Sequence, residues 1–489
     1  MVYSQRLPIG APALAALVLA AAMAPAPAAL AQAQVQVQTL APPDLFSTPA
    51  ARTGLPADLW RDTAPLIARD VIPRLAARPL SPASAALARR VLATGATGPS
   101  GLGGDRDLGA ARAMALIALG DAAGADLILD RAPGLADSAA LSLAAAEAAL
   151  ITGADEKACA IGNGLAVDRG EGYWLRLRAF CQARLGQTAP AQLTFSLVQQ
   201  QSRDADYARL MGAVLVGTPS GGANLRNGIN YALSRQLDLD IQAAAGTASP
   251  ALRPVLKPRG DLAALSGGAD LTAAEMSDLA FLRQAKGLAA FVEAARDASV
   301  SIAALVRADA PLQDPVLFAR AALAAGDTAT AQTLRNRLTG DQIPGATPTD
   351  LALLDAALSA ASAKADSQVL DNLIARGDQG GVKSPAQPAA LILAAFGGVM
   401  SPTARAQFAD FDPGRSVASP SRLLVLDAAA AAGRVGETAL LALSIAADAG
   451  QAGPVPADRA RMVAALARVG LVEDAAALAV EGLLALQVK

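Results

Sequence analysis

Few residues in this chain have chemistry to offer. Among 489 residues there is no histidine, which removes Ser-His and Cys-His catalysis, imidazole metal sites and histidine pH switching together. The two cysteines, Cys159 and Cys181, lack the Cys-x-x-Cys spacing of a redox dithiol. Consecutive antiparallel helices would bring them together, and in an oxidising compartment a disulfide is expected, worth about 3 kcal/mol for such a loop. The alternative is two buried free thiols. The loop Thr94–Asp107 (TGATGPSGLGGDRD) has the glycines of a phosphate loop but not its Gly-Lys-Ser/Thr ending, and no strand precedes it. Gly98 to Leu102 misses the nucleophile-elbow pattern at its last position. Asp410 and Asp412 stand close, but a capped turn explains them, and a calcium loop needs more alternating carboxylates. No catalytic, cofactor-binding or metal-ligating residue is assigned.

The most distinctive segment is EGYWLRLRAFCQARLG, Glu171–Gly186. It gathers Tyr173, Trp174 and Phe180 in a chain with only 3% aromatic residues, and adds Arg176, Arg178 and Arg184. Trp174, Leu177 and Cys181 share one helical face, which makes Trp174 and Phe180 core anchors. Tyr173, Arg176 and Arg178 are the candidate partner contacts, because Tyr and Arg are favoured at interface hot spots.

Helices must position these groups. The chain is 53% apolar and rich in alanine, the best helix former and a small one; sheets want β-branched and aromatic residues instead. A net charge of −2 with no basic stripe argues against a nucleic-acid partner. At the N-terminus, Arg6, the apolar run Ala13–Ala24, and Ala29-Leu30-Ala31 before Gln32 read as a cleavable signal peptide. No later segment offers the ~20 unbroken apolar residues of a membrane span. The short VQVQ run, Val35–Gln38, is the one strand-like alternation.

Helix starts are marked by a capping residue followed by proline: Ser81-Pro82, Ser249-Pro250, Asp314-Pro315, Thr347-Pro348, Ser384-Pro385, Ser401-Pro402 and Ser419-Pro420. Helix ends are marked by glycine. Six glycines begin a common pattern, with alanine at +5 and an aliphatic residue at +8: Gly120, Gly153, Gly186, Gly326, Gly433 and Gly470. Gly186 departs at +8 with Thr194, and Gly433 at +5 with Thr438. Spacings of 33, 33 and 37 residues between neighbouring corners fit one helical hairpin per unit. The turns ALGDAAGADLIL and AAGDTATAQTLRNRL resemble the inter-helix turn of tetratricopeptide repeats. The resemblance implies stacked helix hairpins and a protein-binding concave face, although the family's first-helix aromatics are mostly Ala or Leu here.

The expected fold is therefore all-α, an α-solenoid of stacked antiparallel hairpins. The expected organisation is a signal peptide (1–31), a flexible leader (32–54), an N-terminal repeat array (55–217), an irregular helical hinge (218–277) and a C-terminal array (278–489). The expected role is a non-enzymatic periplasmic or secreted scaffold or adaptor that binds another envelope protein, needs no cofactor and has no membrane span once the signal is removed. A peptidoglycan-related envelope enzyme, or a superhelical domain associated with one, is the alternative. The catalytic Glu-Ser pair of superhelical lytic transglycosylases is absent.

Overall fold

All six glycine corners have left-handed backbone, with φ between +70° and +90°, and each lies between two helices that pack on each other. Only glycine takes that conformation at no steric cost, so the corner sequence becomes a corner in space. The small residue at +5 then allows close approach. Ala125, Ala158, Ala191, Ala331, Ala475 and Thr438 are all fully buried at 0% exposure.

The computed structural model describes residues 44–201, 203–218, 221–256, 268–338, 346–381 and 383–488. The residues read as a signal peptide, the cleavage site read before Gln32 and the VQVQ run lie outside them. Every regular element among the described residues is helical. The first half contains α1 (Pro65–Ala77), α2 (Pro82–Ala93), α3 (Arg106–Ala118), α4 (Ala122–Leu129), α5 (Ala139–Thr152), α6 (Asp155–Gly164), α7 (Gly172–Arg184), α8 (Thr188–Gln201), α9 (Ala205–Val216) and α10 (Gly228–Gln236). The second begins with the short α11 (Arg253–Leu256), then α12 (Gly268–Gln284), α13 (Leu288–Arg307), α14 (Pro315–Ala325), α15 (Thr328–Arg337), α16 (Pro348–Ala361) and α17 (Ser367–Gly380). It ends with α18 (Ala386–Ala394), α19 (Pro402–Ala409), α20 (Pro420–Ala431), α21 (Val435–Ala449), α22 (Pro456–Arg468) and α23 (Val472–Ala485).

Five of the seven cap-proline pairs place proline at the first helical position, opening α2, α14, α16, α19 and α20. Pro385 is itself the N-cap of α18. Ser249-Pro250 opens a turn ahead of α11 rather than a long helix.

Helices far apart in sequence also pack together. The helix α1 lies on α21, α2 lies on α23, and α23 also packs on α14 and α16. Pro42–Lys489 forms one compact unit. Buried carboxylates tie its two ends. Glu437 of α21 accepts a hydrogen bond from the Ala64 amide at the start of α1 (2.7 Å). Glu481 of α23 accepts from the Ala83 amide in the first turn of α2 (2.5 Å) and pairs with Arg459 (2.8 Å). These bonds satisfy helix N-terminal amides that no local side chain caps: Ser81 does not cap α2, because its hydroxyl bonds Ser84 instead.

Residues 44–54, assigned to the leader on sequence, are packed in place. Phe46 is completely buried. The buried Arg112 guanidinium donates to the carbonyls of Leu45, Thr48, Leu92 and Thr94 at 2.8–3.1 Å, and its desolvation pushes its pKa down to about 10. The same packing explains the glycine-rich loop. Asp44 accepts from the Gly98 amide (2.7 Å), so the loop holds a side chain of its own chain rather than a phosphate.

Candidate functional site

The feature best suited to holding a ligand is a cavity of about 1040 Å³, at or just above the upper end of the ~300–1,000 Å³ typical of ligand pockets. The C-terminal end of α1 and the start of α2 form one wall. The helices α3, α5 and α7, the start of α10, the Ser249–Pro254 turn and the first half of α13 complete it. Its surface is mostly apolar, with Leu80, Met114, Ile117, Leu143, Ile151 and Val292 among the contributors.

The helix α5 is the back of this site. It is apolar nearly all round and buried from Ala144 to Ile151, as a helix surrounded by others must be. One acidic residue interrupts it. Glu147 is 92% buried (8% exposed), and one carboxylate oxygen, Oε2, accepts from the Gly228 amide at the start of α10 (2.8 Å). The close approach requires glycine at 228, since a Cβ there would stand 2.9 Å from Leu150 Cβ and 3.0 Å from the Glu147 carboxylate. The other oxygen, Oε1, is buried without a hydrogen-bond partner. Desolvation holds the Glu147 pKa above the usual carboxylate value, with the Gly228 amide opposing.

Tyr173 faces Glu147. Burial first, and the Glu147 charge second, push its phenol well above the ordinary tyrosine value. The geometry nonetheless falls short of a hydrogen bond, and the Tyr173 hydroxyl is also buried without a partner. Ser249 Oγ, in the same cavity lining, is a third such atom. All three atoms are closed off from solvent, and two of them, Glu147 Oε1 and the Tyr173 hydroxyl, belong to side chains that face each other, so they stand behind the cavity wall rather than open to it.

The charged groups of the lining are predominantly positive, six arginines against Glu147 and Glu293. Four of the six are paired: Arg78 with Asp448, Arg176 with Asp204, Arg226 with Asp206 and Arg253 with Glu293. Arg89 and Arg296 have no ion-pair partner among the described residues. Burial and then the like charge of Arg296 hold Arg89 below the ordinary arginine pKa, with Asp121 opposing. Arg89 donates to the Leu119 carbonyl (2.8 Å), a neutral acceptor.

Sequence reasoning put Tyr173, Arg176 and Arg178 together as partner contacts. The structure separates them. Tyr173 and Arg176 line the cavity, and Arg178 does not. Tyr173 is recessed, with its hydroxyl hidden from solvent. Arg176 bonds Asp204 (2.9 Å) and stacks over the Tyr207 ring, while Arg178 reaches the Arg169 carbonyl. Trp174 and Phe180 are buried, at 3% and 0% exposure. Cys159 and Cys181 are bonded, with Cα atoms 5.7 Å apart, and fasten α6 to α7. Asp410 ends α19, and no group of three or more metal-ligating side chains occurs among the described residues.

Glu147, Arg89 and Arg296 were not singled out from sequence. A lone acidic residue in the run ALSLAAAEAALIT was the available signal for Glu147. The arginines carried none, because what sets them apart is that no carboxylate among the described residues stands at ion-pair distance from them. No family model, curated protein or solved structure matches this chain.

Proposed function

We propose that the protein is a non-enzymatic helical-repeat adaptor of the bacterial periplasm, which binds another envelope protein in the cavity enclosed by α1, α2, α3, α5, α7, α10 and α13. The observation that carries this reading is the cavity itself: large, apolar-walled, and lined by six arginines against two glutamates. A large apolar recess with a few polar groups in its lining is the usual mark of a binding site. The six glycine-cornered hairpins support the repeat-protein reading, since hairpins of this kind bury their apolar faces only against neighbours. The Cys159–Cys181 disulfide supports an oxidising compartment, and so does the signal-like N-terminus. No helix among the described residues is long and apolar enough to cross a membrane.

The test is affinity purification of a C-terminally tagged full-length chain from the native periplasm after mild crosslinking. A single envelope protein recovered in stoichiometric amount supports the adaptor. Failure to recover one, or release of fragments from purified peptidoglycan by the protein alone, overturns it.

A further inference from the structure

The cavity is apolar over most of its wall and positive where it is charged. Its own two glutamates do not neutralise it. Glu293 pairs with Arg253, and the Glu147 carboxylate is taken up at Gly228 and Tyr173, closed off from solvent. Arg78, Arg176 and Arg226 are met by aspartates from outside the lining. Arg89 of α2 and Arg296 of α13 remain, with no carboxylate at ion-pair distance among the described residues. They stand near enough to repel: after burial, the charge of Arg296 is what lowers the Arg89 pKa, with Asp121 opposing.

Both arginines offer donors to the cavity. Arg89 is anchored through Nη1, which donates to the Leu119 carbonyl at the end of α3 (2.8 Å). Its other N–H groups have no partner among the described residues, and unlike Glu147 Oε1 and the Tyr173 hydroxyl they are open to solvent. Arg296 is exposed in the lining. Guanidinium groups bond oxyanions most strongly. The wall beside them, including Leu80, Met114, Ile117 and Val292, is stabilised when apolar surface covers it. An inorganic anion would leave that wall wet. An uncharged hydrocarbon would strip water from two arginines and pair neither, which is costly. A volume of about 1040 Å³ suits a drug-sized molecule rather than a folded domain.

From this juxtaposition we infer that the cavity receives a small amphiphilic anion, an apolar body carrying one oxyanion group, with Arg89 and Arg296 holding the oxyanion and the walls of α3 and α13 covering the body. A free alkyl carboxylate and the C-terminal residues of an apolar chain both present this chemistry. The inference deepens the reading of this site given above. The adaptor needs the second source, whereas the inference holds for either, so the two fail separately.

The experiment is equilibrium dialysis of the full chain against four probes. These are decanoate, decanol, and an N-acetylated pentapeptide of Ala, Leu and Val made as the free acid and as the amide. At least one acid is expected to saturate at one molecule per chain, at least tenfold tighter than its neutral counterpart. Arg296→Glu is expected to remove that preference, because the new carboxylate takes the anion's place beside Arg89. The melting temperature should not fall, since Arg296 is exposed and bonds nothing described. Arg296→Gln is expected to weaken binding less. Equal retention of acid and neutral probes, a preference that survives Arg296→Glu, or failure of both acids to saturate would each overturn the inference. Retention of decanoate alone supports it with a free amphiphile as ligand, and withdraws this cavity from the adaptor's partner. Retention of the peptide acid supports it with a chain terminus as ligand. The periplasmic purification bears on the adaptor alone.

Discussion

Two buried glutamates, Glu481 in α23 and Glu147 in α5, begin from the same physical problem and end differently. Each sits on an alanine-rich helix, and each bonds a backbone amide in the first turn of a distant helix, Ala83 in α2 and Gly228 in α10. At Glu481 the remaining oxygen meets Arg459, itself buried, at 2.8 Å. At Glu147 the remaining oxygen faces the Tyr173 hydroxyl and no cation. A buried charge is tolerated when paired and hydrogen-bonded, and costly when it is not. Glu481 is therefore part of the fastening between the ends of the chain. Glu147 is a charge that burial makes costly and that no cation offsets.

The comparison is broken most severely by Arg459→Leu. Removing one member of a buried ion pair strands the other, at about 3–5 kcal/mol, and the effect should appear as a lower urea midpoint and premature loss of helical signal. If the variant is as stable as the native chain, the Glu481 fastening is not structural. Next in size is the disulfide. Cys159→Ser with Cys181→Ser, or reduction, should cost about 3 kcal/mol and loosen α6 from α7, read by thermal melting with and without reductant. A corner glycine is worth less: Gly326→Ala forces a left-handed alanine where a Cβ would meet no neighbouring atom within 4 Å, so about 1–2 kcal/mol of backbone cost alone is expected. Gly120→Ala should cost more than Gly326→Ala, because its Cβ would also stand 2.8 Å from Pro254 Cγ. Equal costs at the two corners would remove that steric contribution.

The smallest effect has the opposite sign. Glu147→Gln keeps an acceptor for Gly228 and removes an incompletely paired buried charge, so a gain of order 1 kcal/mol is expected at pH 7. The sign of the pH dependence follows from the raised pKa of Glu147. The folded state binds this proton more tightly than the unfolded chain does, so the contribution to stability is fully present below the unfolded value near 4.5 and is lost as pH rises through the higher folded value. Urea titrations at pH 4.5 and pH 8 should show the difference between native and Glu147→Gln proteins widening at pH 8. A constant difference would mean that Glu147 ionises as an ordinary exposed carboxylate does.

Much of the helical architecture was legible in the sequence because its signals are local. A glycine with φ near +90°, a proline at the first helical position and a small residue at +5 act within one hairpin, and Gly326, Pro315 and Ala331 need nothing distant to do so. The disulfide was legible for a similar reason, since Cys159 and Cys181 lie on consecutive helices. The site was legible only in part. Tyr173 and Arg176 drew attention as rare residues in a bland chain, but their recessed position depends on α5 and α10 packing over them. The packing of residues 44–54 was hidden because Arg112, which anchors it, lies over 60 residues away from Leu45 and Thr48.

By itself, the amino-acid order determined that the chain is helical, where many of its helices start, and where six of them turn back. Local backbone preference and short-range sterics suffice for that, and both act over a few residues. Only the tertiary structure decided that α1 and α2 close against α21 and α23, that Glu481 meets Arg459 while Glu147 meets no cation, and that Arg89 and Arg296 line one cavity with no carboxylate at ion-pair distance among the described residues. These outcomes depend on which distant groups share one small volume, and no periodicity along the chain records that.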